Sequence, residues 1–171
     1  KEPDMAYYSY VRRDVVSLMD DPGDRAVRVL ELGCASGATL AYIRERYPRA
    51  ETWGIELNPE AAKQAEGRVD HCFCGNCEEM ELPGEDGSFD YILCPDVLEH
   101  LLDPWKMAGR LKQKLKKGGL LICSVPNVTH WSVLIPYLQG KWDYQDSGIL
   151  DRTHLHFFTY ETALAPVSYT H

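Results

Sequence analysis

The most chemically suggestive stretch of this 171-residue chain is Glu31-Leu32-Gly33-Cys34-Ala35-Ser36-Gly37. Small residues at 33, 35, 36 and 37 let the backbone bend tightly and approach a ligand without side chains intervening. The bend follows an apolar run, Val27 to Leu32, and precedes a helical pattern carried by Leu40, Ile43 and Tyr47. A strand-to-helix turn of this kind suits a nucleotide-like ligand. Glu56, nineteen residues after Gly37, closes a second apolar run that begins at Thr52. A carboxylate there can accept hydrogen bonds from both hydroxyls of a ribose, and charge-assisted bonds are the stronger kind. Each feature has an ordinary reading, a tight turn or an exposed glutamate. Together they point to a cofactor containing adenosine.

Not every such cofactor fits. A dinucleotide site requires Gly-x-Gly-x-x-Gly, with helix amides facing a pyrophosphate. Here Ala35 stands between Gly33 and Gly37, and Glu31 sets a carboxylate just before the bend. That charge repels phosphate and suits a cation. The matching ligand carries a ribose, lacks phosphates and has a positive end. An NAD-dependent oxidoreductase is therefore the weaker alternative.

Positioning such a site requires a sheet. Tyr8, Val11, Val15, Leu18 and Met19 recur at helical spacing, and Asp20-Asp21-Pro22-Gly23 ends that helix. Val27–Leu32 and Thr52–Glu56 read as strands, and Pro59 opens a helix. Val69 to Phe73 is a third strand, and Phe89 to Cys94 is a strand of the buried type. A helix starts at Asp103-Pro104 and is expected to end at Gly118-Gly119, before Leu120–Val125, the most apolar strand and the expected centre of the sheet. Alternating strands and helices predict an α/β three-layer sandwich, with a mostly parallel sheet and helices on both faces.

Bulk properties narrow the partners. The chain is 44% apolar and 26% charged, an ordinary globular composition, and long enough to bury roughly 70% of its unfolded surface. A net charge of −8 argues against a nucleic-acid backbone as partner. The one basic run, Lys106 to Lys117, reads as a solvated helix face. No apolar stretch reaches the roughly 20 residues needed to span a membrane. Cys72, Cys74 and Cys77 lack the fourth ligand of a structural zinc site, so the six cysteines read as reduced thiols of a cytoplasmic protein, with no metal expected.

Val29 to Gly37 resembles the first motif of class I S-adenosylmethionine (SAM) dependent methyltransferases, and Glu56 falls at that family's ribose-binding acid. Gly75-Asn76-Cys77-Glu78-Glu79 is similar to its adenine-contacting segment, with Asn76 in place of the commoner aspartate. Cys94-Pro95-Asp96-Val97-Leu98-Glu99-His100 resembles the segment after the fourth strand in the branch containing ubiquinone-type O-methyltransferases. The resemblance implies a Rossmann-like fold and a SAM site made by Glu31, Gly33, Cys34, Ala35 and Gly37. Glu56 and Leu57, Asn76 and Cys77, and Pro95 and Asp96 complete it. It also implies that the N-terminal helix carrying Tyr7 and Tyr8 covers the cofactor.

In-line methyl transfer to a small-molecule or glycan acceptor, at oxygen, is the activity this implies. A hydroxyl acceptor benefits from a general base. His100, His130 and the cluster Asp151, His154 and His156 stand on loops at the right end of the sheet; His154, Asp151 and His100 are the chosen candidates. The segment Gly148 to Phe158 resembles one found in a methyltransferase branch associated with glycans; its ordinary alternative is a lid in which Asp151 and Arg152 pair. Tyr7, Tyr8, Tyr10, Trp131, Tyr137, Trp142 and Tyr144 flank the expected mouth.

The family's sheet has seven strands, whereas this chain offers five and then a helix start at Thr159. Residues 165–171 read as a non-native tail, so the methyltransferase domain is expected to span 1–164 and to lack its last strands. A non-catalytic SAM-binding module, or an inactive fragment, is the competing reading.

Overall fold

The computed structural model describes residues 10–168. Tyr7 and Tyr8, expected over the cofactor, lie outside them, as does the end of the 165–171 tail. Five strands form one wholly parallel sheet: β1 (Val27–Leu32), β2 (Ala50–Glu56), β3 (His71–Cys74), β4 (Phe89–Pro95) and β5 (Leu115–Ser124). Their order is β3-β2-β1-β4-β5, so the chain builds outward from β1, then returns to its other side. The reversal falls between β1 and β4. Ligands bind at that place in open parallel sheets, outside the carboxyl ends of the strands.

The period-two alternation of each strand supplies two cores. Val27, Val29, Tyr91 and Leu93 point to one face, where they meet Val15, Leu40, Ile43 and Ala65. Those partners come from α1 (Arg13–Val16), α2 (Ala38–Arg46) and α3 (Pro59–Ala65). Leu30, Leu32, Ile92 and Cys94 point to the other face, against Met107 and Leu111 of α4 (Pro104–Lys114). Helices therefore cover both faces, as the alternating pattern predicts. Helix starts follow the local chemistry: the Asn58 side chain caps α3 and that of Asp103 caps α4, each with proline in the first turn. α5 (Trp131–Leu138) and α6 (Tyr160–Ser168) follow β5.

Four expectations need correction. The apolar strand expected at the centre is β5, which stands at the sheet edge among the described residues. Its apolar side chains face the layers above and below, and facing layers says nothing about lateral neighbours. Helix α4 stops at Lys114 rather than at Gly118, and the Gly-Gly pair sits inside β5, where Gly118 takes φ +81° beside a register shift. Lys114 and Lys116 are consequently not a solvated helix face: they pair with Asp86 (3.1 Å) and Asp90 (2.7 Å) of the loop and strand opposite. The first helix is also shorter than its periodicity suggests, being one turn at Arg13–Val16. Among the described residues no helix is long and apolar enough to cross a membrane.

The turn after β1 carries a definite stability expectation. Gly37 has φ +76°, and a Cβ there would lie 2.9 Å from Val69 Cγ1 and 3.2 Å from Ala65 Cβ. Gly37→Ala should cost about 2 kcal/mol, from backbone strain plus overpacking, lowering Tm by roughly 4–8 °C. Ala35 has φ +50°, so Ala35→Gly relieves a strain of about 1 kcal/mol that roughly offsets glycine's own entropy cost. Thermal unfolding of both variants checks this reading of the turn; an unchanged Tm for Gly37→Ala would contradict it.

Candidate functional site

Pairing of β1 with β4 ends at Glu31 and Leu93, and residues 33–35 of the turn line one wall of the cavity there. Its bend is closed by backbone bonds: Gly33 and Cys34 amides both donate to the Ile55 carbonyl (2.8 and 3.1 Å), and Gly37 donates to the Cys34 carbonyl (2.8 Å). Gly33 is required by close approach, since a Cβ there would lie 2.8 Å from Val97 Cγ2. Glu56 reaches this turn from β2. Its Oε2 accepts from the Ala35 amide and its Oε1 from the Asn58 amide, both at 2.8 Å. The side chain is thus 8% exposed and engaged with backbone, not turned to bulk water. Each oxygen keeps a second lone pair.

The opposite wall is Pro95-Asp96. Asp96 has φ +52°; it and Ala35 are the non-glycine residues in the left-handed region among those described. Both line one cavity of about 220 Å³, together with Tyr10, Arg12, Glu31, Gly33, Cys34, Thr39 and Pro95. Two strained residues facing one small cavity fit a functional site, where such conformations concentrate. Asp96 is held from two sides: Ser124 Oγ donates to its Oδ1 at 2.8 Å, and Arg12 Nη1 donates to its Oδ2. Arg12 also donates to Ser124 Oγ (3.0 Å) and Asp14 (2.9 Å), while its backbone amide meets Thr39 Oγ1 at 3.1 Å. The N-terminal segment is thereby laced across the cavity, with the Arg12 guanidinium held firmly charged by Asp14 and Asp96.

Glu31 lies at the bottom, 2% exposed. Burial pushes its carboxyl up to about 8, against the opposing influence of Arg12 and a bond to Thr39, and with Glu56 adding to the rise. Its Oε2 has no hydrogen-bond partner. A buried carboxylate oxygen without a donor is costly, and a cation entering the cavity would satisfy it.

The cavity gathers six of the residues expected at the cofactor: Glu31, Gly33, Cys34, Ala35, Pro95 and Asp96. Gly37 stands behind the turn against α3, and Glu56 supports the turn from below. Leu57 is 68% exposed beyond the rim. Asn76 and Cys77 stand apart. Asn76 bonds within its own loop, to the Glu78 amide (3.0 Å) and the Glu79 carboxylate (3.0 Å). Cys77 packs on the second core, where burial raises its thiol. Arg12 was not legible as a site residue, because nothing in local spacing brings a segment before β1 over its far end; Thr39, in the first turn of α2, carried no distinguishing signal.

The acceptor-side candidates do converge. His100 belongs to a single 3-10 turn, Leu98–His100, just past Asp96. The Glu99 carbonyl in that turn accepts from the Leu155 and His156 amides (2.8 and 3.1 Å), which ties the 151–158 segment to it. The His100 and His154 rings then meet edge to face, 4.7 Å between centroids. Burial lowers the His100 imidazole. Asp151 Oδ1 accepts from the Thr153 amide (2.8 Å) and hydroxyl (2.7 Å), so it shapes the turn that presents His154. Its carboxyl lies below the usual range, burial being outweighed by those bonds and by the two histidines. Asp151 does not pair with Arg152, which instead meets Asp146 at 3.1 Å. His156 turns away to Trp105, at 5.2 Å, and His130 caps α5 through Ser132.

Glu99, the neighbour of His100 in the same turn, carries no signal of its own in the sequence. It is 1% exposed, neither carboxylate oxygen has a partner, and burial pushes it up to about 8. Beside this group lies a second cavity of about 510 Å³, lined by Val128, Val133, Leu134, Tyr137, Trp142 and Phe157, with Thr129. Phe157 connects the two, 6.4 Å from the His154 ring.

A family profile described as a methyltransferase domain matches residues 6–165. The ubiquinone/menaquinone biosynthesis C-methyltransferase of Desulfotalea psychrophila is 27% identical over 139 residues, which cover 78% of this chain and 54% of that protein. The ubiquinone biosynthesis O-methyltransferase of Xanthomonas oryzae pv. oryzae is 33% identical over 126 residues, covering 70% of this chain and 50% of that protein. In fold the chain is similar to Haemonchus contortus phosphoethanolamine N-methyltransferase 2, solved in complex with SAM: TM-score 0.66 and 19% identity, over 93% of this chain and 36% of that one. The chain spans about half the length of the curated relatives it matches. Sheet order, the bend at 33–37 and the family match agree: the chain belongs to the class I SAM-dependent methyltransferases.

Proposed function

We propose that this domain transfers the methyl group of SAM, in line, to oxygen of a small-molecule acceptor that carries an apolar body. The observation that carries the cofactor half is the unpartnered Oε2 of buried Glu31 inside the cavity bounded by the 33–37 turn. When bound, SAM supplies a methyl already activated on a sulfonium, so no covalent enzyme intermediate is required. Glu31 answers its positive groups. Glu56 offers its remaining lone pairs to the ribose hydroxyls, and the Asn76-Cys77 loop lies toward the adenine end. A 220 Å³ cavity is smaller than most ligand pockets, which suits the amino-acid end alone.

The acceptor half rests on the neighbouring cavity. Its walls are almost wholly apolar and aromatic, with a hydroxyl only at Thr129 and at Tyr137, where a glycan would need a dense set of hydrogen-bonding partners. An apolar body seated there leaves its reactive hydroxyl beside His154 and His100. Those two rings, with Glu99, take up the proton or hold the oxygen, while Asp151 positions the turn. Alignment of acceptor and methyl at about 3–3.5 Å supplies several kcal/mol, and a proton acceptor adds 10²–10⁴-fold. The relatives' own names include carbon, oxygen and nitrogen acceptors, so the acceptor atom is the part most open to test.

Two measurements check this reading. Glu31, raised to about 8, is protonated in the free protein at pH 6.5 and should ionise against the positive groups of SAM. Calorimetry at pH 6.5 in buffers of differing ionisation enthalpy should therefore report release approaching one proton on SAM binding, lost in Glu31→Gln. The same shift has a folding consequence. A carboxyl whose folded pKa exceeds its ordinary 4.5 costs stability as pH rises from about 4.5 to about 8, and SAM should restore that loss. Absence of proton release in the parent protein, together with binding of equal strength in Glu31→Gln, would overturn the cofactor assignment. For the acceptor, labelled SAM with alkylphenols set against methyl glycosides should label the phenols. His154→Ala should cut that turnover by 10²–10⁴-fold with SAM affinity kept. Labelling of glycosides alone would remove the apolar acceptor.

A further inference from the structure

We infer that Glu99, His100 and His154 form a site for one divalent cation of the zinc class, on the acceptor side of the cofactor cleft. One carboxylate oxygen and two ring nitrogens, one ligand atom from each residue, lie within 4.8 Å of one another. They come from segments more than fifty residues apart, so their meeting is a product of the fold. It is secured by the Glu99 carbonyl, which holds the Leu155 and His156 amides.

The hydrogen bonds around the rings set them up as ligands. His154 Nδ1 lies 3.1 Å from the Ile149 carbonyl, and His100 Nδ1 lies 3.3 Å from the Thr153 carbonyl. A carbonyl can only accept, so each Nδ1 carries the proton and each Nε2 keeps its lone pair. Histidines that bind metals are oriented in this way, with the second nitrogen donating to a carbonyl or carboxylate. The third ligand is the independent sign. The Glu99 side chain is buried at 1% exposure with both oxygens unpartnered, an arrangement that protein polar groups rarely leave standing.

Two imidazoles and one carboxylate match zinc sites that keep an open position, with ligand bonds of about 2.0–2.2 Å. Magnesium and calcium prefer oxygen ligands and fit poorly. Nearby acids are already committed: Asp96 to Arg12 and Ser124, Asp151 to Thr153. His100 is exposed, so the open position faces solvent, one turn from the cofactor cavity. The placement rests on the acceptor-side reading above, and there the cation takes over part of the histidines' work. An acceptor hydroxyl that ligates at the open position loses its proton to water at lower pH than it would when free.

Cobalt(II) chloride is the probe, because its visible bands report ligand type and geometry. Titrated into the metal-stripped full chain without SAM, one equivalent should bind with the bands of four-coordinate nitrogen and oxygen ligation. His154→Ala and Glu99→Gln should each weaken binding beyond the 10–100-fold that losing an outer partner costs, and His130→Ala should leave it unchanged. SAM binding by calorimetry certifies that each variant is folded; His100→Ala serves if Glu99→Gln is not. Three results would overturn the site: no saturable binding, affinity unchanged in His154→Ala, or the sulfur-to-metal absorption expected if Cys72, Cys74 and Cys77 bind instead. Loss of SAM binding with cobalt binding intact would sink the methyl-transfer reading and leave the cation site standing.

Discussion

The cofactor half of the molecule depends on one carboxylate bridging two turns. Glu56 closes β2 and accepts the amide of Ala35 from the turn after β1 and the amide of Asn58 at the start of α3. Those amides sit where a parallel sheet leaves donors without strand partners, and an acid at the end of the adjacent strand is the nearest group able to take both. Backbone bonds close the bend it braces, but Ala35 sits there in the left-handed region, a strain that its bond to Glu56 helps to hold. Charge-assisted bonds to backbone amides are about twice as strong as neutral ones, enough to offset a strained alanine. Ribose binding and turn support are therefore compatible tasks for one side chain.

Opposing charge organises the remainder. Arg12, Asp96 and Ser124 form a closed set across the mouth, while Glu31 stays below it without a full complement. Coulomb attraction draws Arg12 and Glu31 together, yet the guanidinium is occupied by Asp14 and Asp96. The free domain thus holds one acid too many in a buried place. That deficit is a way to make a cation the preferred occupant, because an incoming positive group gains what burial had cost the carboxylate.

How much of this was legible depends on range along the chain. The 33–37 bend, Glu56, the helix starts at Pro59 and Asp103-Pro104 and the two-faced strands are local, so periodicity, prolines and small residues reveal them. What the sequence hides is lateral order. β5 is as apolar as a central strand because Ile122 packs on one core while Leu121 and Cys123 pack on the other, and only the pairing shows it at the edge. Likewise Gly118-Gly119 reads as a helix stop but serves a bulged strand, since a left-handed glycine suits either. Arg12 and Glu99 escaped for a related reason: their roles come from what a distant segment places beside them.

The acceptor side carries that logic further. The walls of the proposed acceptor cavity come from α5 and from the 142–158 segment, held to the sheet by the Glu99 carbonyl with Leu155 and His156, the bridge between Asn127 and Phe158, and the Phe158 ring in the second core. Such a segment can change its side chains without disturbing the bend, Glu56 or the core strands. The relatives named above, whose names give methyl transfer to carbon, oxygen and nitrogen, share the fold or the domain while differing in acceptor atom. A rigid cofactor turn joined to a lightly attached acceptor wall would produce that pattern. On the proposed reading, cofactor chemistry rests on backbone geometry, and acceptor chemistry on side chains of the 142–158 segment.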